Sequence, residues 1–250
     1  MPPVIAVENH STVVSDETVA AWADACRRQV SGSSRFARYW GSSAHVTFVA
    51  KGATKAPWWQ ALILDDSDQA GALGYHDTDS PWGGPQLKVF AATDEKYGLL
   101  GSVTLSHEIV EAVADPWCNL AWQTSSTRFH AVEVADAVEA DQLGYDLPGH
   151  GSIPTVRVSD FVLPAWYMPG APPPFTCVHS QILDGAPGGK GRKPPVAKPL
   201  QLAAGGYASI FVSGHGWTQD TAEKADHVEH ENRNRFPRRS GGSFRPDDDD

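Results

Sequence analysis

The sequence predicts an α+β fold, and three observations carry that expectation. A helix-patterned segment stands near the N-terminus. Several short, β-branched runs follow it and lead into a second, more apolar helix at 102–116. Beyond Pro116 only short strand-like pieces remain, set among Gly and Pro. The expected architecture is a mixed sheet of about four to five strands packed on both helices, followed by an irregular, β-containing C-terminal part.

Val4 to Val7 opens the chain as a first strand. Asp16-Glu17-Thr18 then starts a helix that runs to about Val30. Val19, Trp22, Ala23 and Cys26 recur at helical spacing, and Arg27-Arg28 sit at the negative end of its dipole. Ser31-Gly32-Ser33-Ser34 closes it, and the aromatic stretch Phe36 to Trp40 is expected to pack beneath it. His45 to Ala50 is β-branched and bounded by turn residues, which marks a strand. Trp58 to Asp65 is almost wholly apolar and reads as central in the sheet. Leu73 to Asp77 is a further strand, and Pro85 to Ala91 alternates as a strand near an edge does.

After the second helix, Phe129 to Asp136 alternates like a strand, and acidic residues crowd around it: Glu133, Asp136, Glu139, Asp141 and Asp146. Thr155–Val158 and Asp160–Val162 read as short strands, Pro164–Tyr167 as an apolar corner. The stretch 185–199 is a basic Gly/Pro/Lys loop, and Tyr207–Val212 is a strand after a Gly205-Gly206 turn. From about Thr218 the apolar pattern fails. The expected division is a domain over 1–217, with parts 1–116 and 117–217, and a charged, disordered tail over 218–250.

Composition narrows the function. The hydrophobic fraction is 41%, the charged fraction 20% and the net charge -10, with no basic stripe through the body, which argues against nucleic acid as a partner. No apolar run approaches a membrane span and no secretory signal opens the chain, so the protein is expected to be soluble, cytoplasmic or carried in an assembled particle. The three cysteines, Cys26, Cys118 and Cys177, form no Cys-x-x-Cys pair, so a structural zinc cluster is not expected. Pairing of Cys118 with Cys177 is left open by sequence.

The chemistry concentrates in Ser106-His107-Glu108-Ile109-Val110-Glu111. On a helix His107 and Glu111 project from one face one turn apart, where both can grip one metal ion. Glu108 occupies the position of the general base in the His-Glu-x-x-His motif, with glutamate replacing the second histidine. The 10 histidines and ten glutamates give roughly 0.016 chance matches to this pattern in a chain of this length. The competing reading makes Glu108 and Glu111 a solvated helix face. A catalytic metal needs a third protein ligand, and the downstream acidic cluster offers Asp136 first, Glu133 second and Glu139 behind them. Strand alternation through Val132 and Val134 would aim Asp136 inward and Glu133 outward. Tyr145, in the same acidic stretch, is the candidate oxyanion donor. His76, His130 and His150 are weighed as surface or hydrogen-bonded histidines before ligands. A His/Glu/Asp set would hold Zn²⁺, and Mn²⁺ or Ca²⁺ would also suit it.

With these residues in place the chain resembles the zincin-like proteins of phage and actinobacterial genomes. The resemblance rests on Ser106-His107-Glu108-x-x-Glu111 with Asp115-Pro116, on Leu73-Gly74-Tyr75-His76, Lys88-Val89-Phe90, Glu133-Val134-Ala135-Asp136 and Gly144-Tyr145, on Val158 to Trp166, and on Gly205-Gly206-Tyr207. It implies a zincin-like sheet with an edge strand along the active-site helix, metal ligands at His107 and Glu111, and a base at Glu108. Asp136 is similar to the third-ligand aspartate of the aspzincin group. The expected function is metal-dependent hydrolysis of a peptide or protein substrate. The alternative is a non-catalytic zincin scaffold in a virion or other assembly, meeting its partner through 185–199 and 218–250.

Overall fold

The first strand, β1 (Val4–Asn9), buries its four middle residues, Ile5 to Glu8. Ser15 then caps helix α1 (Asp16–Val30), its hydroxyl accepting the Thr18 N–H. The computed structural model describes residues 1–69, 72–78 and 83–222. After α1 come the short helix α2 (Arg35–Trp40) and strands β2 (His45–Val49), β3 (Trp59–Leu64), β4 (Gly74–Asp77) and β5 (Gln86–Phe90). Phe36 of α2 is fully buried, edge-on to Phe161, as its aromatic character predicts.

These strands form one mixed sheet in the order β2-β1-β3-β5-β4. The β1–β2, β1–β3 and β3–β5 pairs are parallel and β4–β5 is antiparallel. The apolar β3 takes the centre, as its composition predicts. The alternating β5 does not lie at an edge: β4 covers it, pairing Gly74 with Val89 and His76 with Leu87. Alternation reports a difference between two faces, and the partner on the far side belongs to another stretch of chain.

Helix α3 (Ala91–Lys96) follows β5 directly. Helix α4 (Gly101–Ala114) then packs against β4, β5 and α1. Every residue from Gly101 to Val113 is buried, polar ones included. Such a helix cannot offer a solvated face. Its polar residues are tied to neighbours: Thr104 donates to Asp94 Oδ1 at 3.0 Å, and the Ser106 hydroxyl accepts the Ser159 N–H at 2.7 Å. Gly101 is needed for the close approach of α1, since a Cβ there would meet Trp22 Cη2 at 2.7 Å.

The C-terminal half is built on a second sheet, ordered β11-β10-β7-β6, and a two-stranded ladder, β8-β9. Their ranges are β6 (Ala121–Gln123), β7 (Arg128–Ala131), β8 (Tyr145–His150), β9 (Ile153–Val158), β10 (Tyr207–Val212) and β11 (Gly216–Thr221). The ladder packs on α1, and its β9 also touches α4. The 160–162 stretch forms only a bridge, Val162 to Thr176, not a strand. Helix α5 (Cys177–Leu183), which sequence pattern did not signal, is capped by Thr176. Regular structure passes the expected boundary at 217: polar as it is, β11 pairs along its length with β10. The rest of the charged tail, from 223, lies outside the described residues.

The basic loop at 185–199 is held by its own chain. Arg192 donates to the carbonyls of Gly144 at 2.9 Å and Leu143 at 2.7 Å, and Val196 is buried. All three cysteines are free thiols, so Cys118 and Cys177 do not pair. Among the described residues no helix is long and apolar enough to cross a membrane.

Candidate metal centre

Helix α4 supplies the spine of the site. His107 and Glu111 lie one turn apart, and His107 Nε2 is 3.2 Å from Glu111 Oε1. The same nitrogen is 3.2 Å from Asp136 Oδ1. His107, Glu111 and Asp136 thus converge, one ligand atom from each lying within 4.8 Å of the other two. Ligand atoms held about 2.0–2.2 Å from a tetrahedral metal stand about 3.3–3.6 Å apart, so the observed spacing suits a divalent ion. One imidazole N–H cannot serve two carboxylates equally, whereas a cation can.

Strand alternation does not bring Asp136 in. β7 ends at Ala131, and Asp136–Val138 is a 3-10 turn. With the strand pattern broken, Glu133 and Asp136 are no longer on opposite faces. Both reach the cluster. The turn is fixed from two sides. The Ala135 N–H donates to Glu111 Oε1 at 3.1 Å, and the Ala137 carbonyl accepts from Ala203 N at 2.9 Å. Gly206 lies against this turn so closely that a Cβ would meet the Ala137 carbonyl oxygen at 2.5 Å.

Glu133 belongs to a second convergent set, with His76 and again Glu111. His76, on the edge strand β4, was weighed as a surface or hydrogen-bonded histidine. It is a buried member of the cluster. Its Nδ1 is 3.2 Å from Glu108 Oε2 and 3.9 Å from Glu111 Oε2. Gly74 permits this proximity: a Cβ there would meet Thr104 Cγ2 at 2.7 Å, the Lys88 carbonyl at 2.9 Å and Glu108 Oε1 at 3.1 Å. Glu139 is buried nearby in sequence but joins neither set. His130 bonds the Thr124 hydroxyl at 2.9 Å and also joins neither.

Tyr145 does not stand with the carboxylates. β8 carries it onto α1, where its hydroxyl accepts from Gln29 Nε2 at 3.2 Å beside Cys177. Sequence proximity to acidic residues misled here because the β8–β9 pairing turns the chain away. The phenol at the cluster is Tyr167, whose hydroxyl donates to the Glu133 carbonyl at 3.4 Å. Only its place in the apolar corner after Pro164 hinted at it.

None of His76, His107, Glu108, Glu111, Glu133 and Asp136 is more than 8% exposed. Burial, reinforced by the charge of Glu111, pushes the Glu133 carboxyl up to about 8 and the Asp136 carboxyl well above its ordinary range. Burial opposes charging of His76, but Cys118 and Glu108 beside the ring outweigh it and raise its pKa. Burial also raises the Tyr167 phenol, with the charges of Glu133 and Glu111 adding to the effect. Asp136 Oδ2 and Glu133 Oε2 have no hydrogen-bond partner among the described residues. Buried carboxylate oxygens without donors, beside two imidazoles, are the donor set a divalent cation requires. A surface hollow of about 380 Å³, lined by Asp66, Asp68, Thr93, Lys96 and Tyr97 among others, contains none of these residues.

Comparison with models of protein families, with curated proteins and with solved structures finds no match to this chain.

Proposed function

We propose that this chain is a zincin-like metal-dependent hydrolase that acts on peptide or related amide bonds. One observation carries the reading: His107, Glu111 and Asp136, from a helix and a turn distant in sequence, converge on one point with Glu108 beside them on the helix. His107, Glu111 and Asp136 would hold the ion, with zinc or manganese best suited to one nitrogen and two oxygens. A divalent metal would supply Lewis acidity there, polarising a carbonyl and acidifying water. Glu108, its Oε2 held by His76, takes a proton from the attacking water and returns it to the leaving nitrogen. Tyr167, rather than Tyr145, is the phenol near these groups. The antiparallel edge strand β4 runs along α4, where the zincin layout binds extended substrate.

A second reading is favoured by the depth of the cluster: the same residues hold a metal that stabilises a non-catalytic scaffold. Glu108→Gln separates the two. Under the first, the purified variant keeps the parent's metal content and loses peptidase activity by about 10²–10⁴-fold. Equal activity in parent and variant removes Glu108 as the base, and no activity in a metal-loaded parent across a broad peptide library leaves the scaffold. Absence of metal from protein never exposed to chelator would falsify both.

A further inference from the structure

The two convergent sets share Glu111, and the two oxygens of that carboxylate face different histidines. Oε1 is 3.2 Å from His107 Nε2, and Oε2 is 3.9 Å from His76 Nδ1. We propose that Glu111 bridges two divalent cations, its Oε1 completing one site with His107 and Asp136 and its Oε2 completing a second with His76 and Glu133. The second site rests on the first being a metal site, and the test below separates their failures.

Three observations converge on the second site. First, its three residues come from β4, α4 and the segment after β7, and bring one ligand atom each within 4.8 Å of the others, all buried. Second, Glu133 is more than nine-tenths buried, yet its Oε2 has no hydrogen-bond donor among the described residues. In a cluster held by hydrogen bonds alone, a buried oxygen without a donor is the exception. Third, Glu108, Glu111, Glu133 and Asp136 bring four carboxyl groups against two imidazoles in an interior where charge is costly, and both ligand sets draw on the same Glu111.

A shared carboxylate keeps two cations about 3.5–4 Å apart, the spacing of centres in which both metals act on one substrate bond. Each set offers one imidazole nitrogen and two carboxylate oxygens, a donor mixture that suits zinc or manganese. The edge strand thus acquires a role the motif on α4 does not contain: it delivers a ligand. Glu108 Oε2 is 3.2 Å from His76 Nδ1, and on loading this nitrogen would exchange that hydrogen bond for the second ion, leaving Glu108 beside both.

The experiment uses the full chain, stripped with chelator and titrated with Mn²⁺, with ions counted by equilibrium dialysis and coupling read by electron paramagnetic resonance. The parent is expected to bind two ions per chain with an exchange-coupled spectrum. His76→Asn and Glu133→Gln are each expected to bind one ion and give an uncoupled spectrum. The parent's stoichiometry needs no variant to fold, and Glu133→Gln stands in if His76→Asn does not. One ion in the parent, unchanged in His76→Asn and Glu133→Gln, overturns the bridge and leaves the first site standing. No ion in the parent overturns both.

Discussion

Two of the places in this molecule that bury carboxylates treat them oppositely. On β1, Glu8 is surrounded by donors: the N–H groups of Gly52 at 2.8 Å and Thr54 at 2.9 Å, the Thr54 hydroxyl, and the His10 ring at 2.7 Å. Burial alone would raise its pKa, but these bonds together lower it to about 2. Around α4, Glu111, Glu133 and Asp136 face one another and two histidines, and burial drives the last two carboxyls upward. Burial is common to both, so it does not mark a site. What differs is the supply of donors. A carboxylate given its donors by its own chain is part of the scaffold, whereas Glu133 Oε2 and Asp136 Oδ2, without a donor among the described residues, are oxygens that could hold a cation.

Chelation tests that contrast most strongly. Protein purified with its metal is expected to lose about 4 kcal/mol on chelation if free metal stood near 1,000 times Kd, a fall in Tm of about 8–16 °C for a chain of this size. A Tm that chelator does not move would break the contrast. The Glu8 socket provides the opposite case. Its depressed pKa means that the ionised form is bound better in the folded state. That stability is fully present above about pH 4.5 and fades as pH falls towards about 2. Glu8→Gln should therefore cost about 3 kcal/mol in urea unfolding at pH 7. The gap from the parent should close below pH 4.5, and a gap independent of pH would refute the socket. Chelator sensitivity should survive in this variant.

Gly74→Ala sharpens the comparison from the side of the edge strand. The new methyl meets Thr104, the Lys88 carbonyl and Glu108, which should cost about 2 kcal/mol and weaken metal binding by moving β4 off α4. Unchanged affinity in a calorimetric titration would show that β4 does not set the site. Tyr145→Phe should have the smallest effect. It removes the hydroxyl that Gln29 meets, costing about 1 kcal/mol, and should leave metal content as in the parent. Loss of metal there would return Tyr145 to the centre.

Sequence spacing revealed the parts of the site that lie on one helix. His107, Glu108 and Glu111 are visible because helical periodicity is local. Glu133 and Asp136 were visible as an acidic cluster, but their geometry was not. The strand stops at Ala131, and the turn that follows is held by Ala203 and Gly206, far along the chain. His76 was the hardest to see. Its position follows from the register of β4 on β5 and from the space that Gly74 leaves, neither of which any local pattern carries. In the fold, the central β3 was legible from its unbroken apolar run. The strand β11 was not, because Trp217 and its polar neighbours lie largely exposed at the edge of the second sheet. Burial was never there to leave a pattern.

The clamp on the 136–138 turn also sets an order of events during synthesis. Its backbone partners, Ala203 and Gly206, are made long after Asp136 itself. At about 5–20 residues per second a ribosome needs several seconds to reach them. For that interval His76, His107 and Glu111 exist in a nascent chain in which Glu133 and Asp136 are not yet held in place. Any metal the cluster takes up would wait until Ala203 and Gly206 are made, and a fragment ending before Ala203 should bind none.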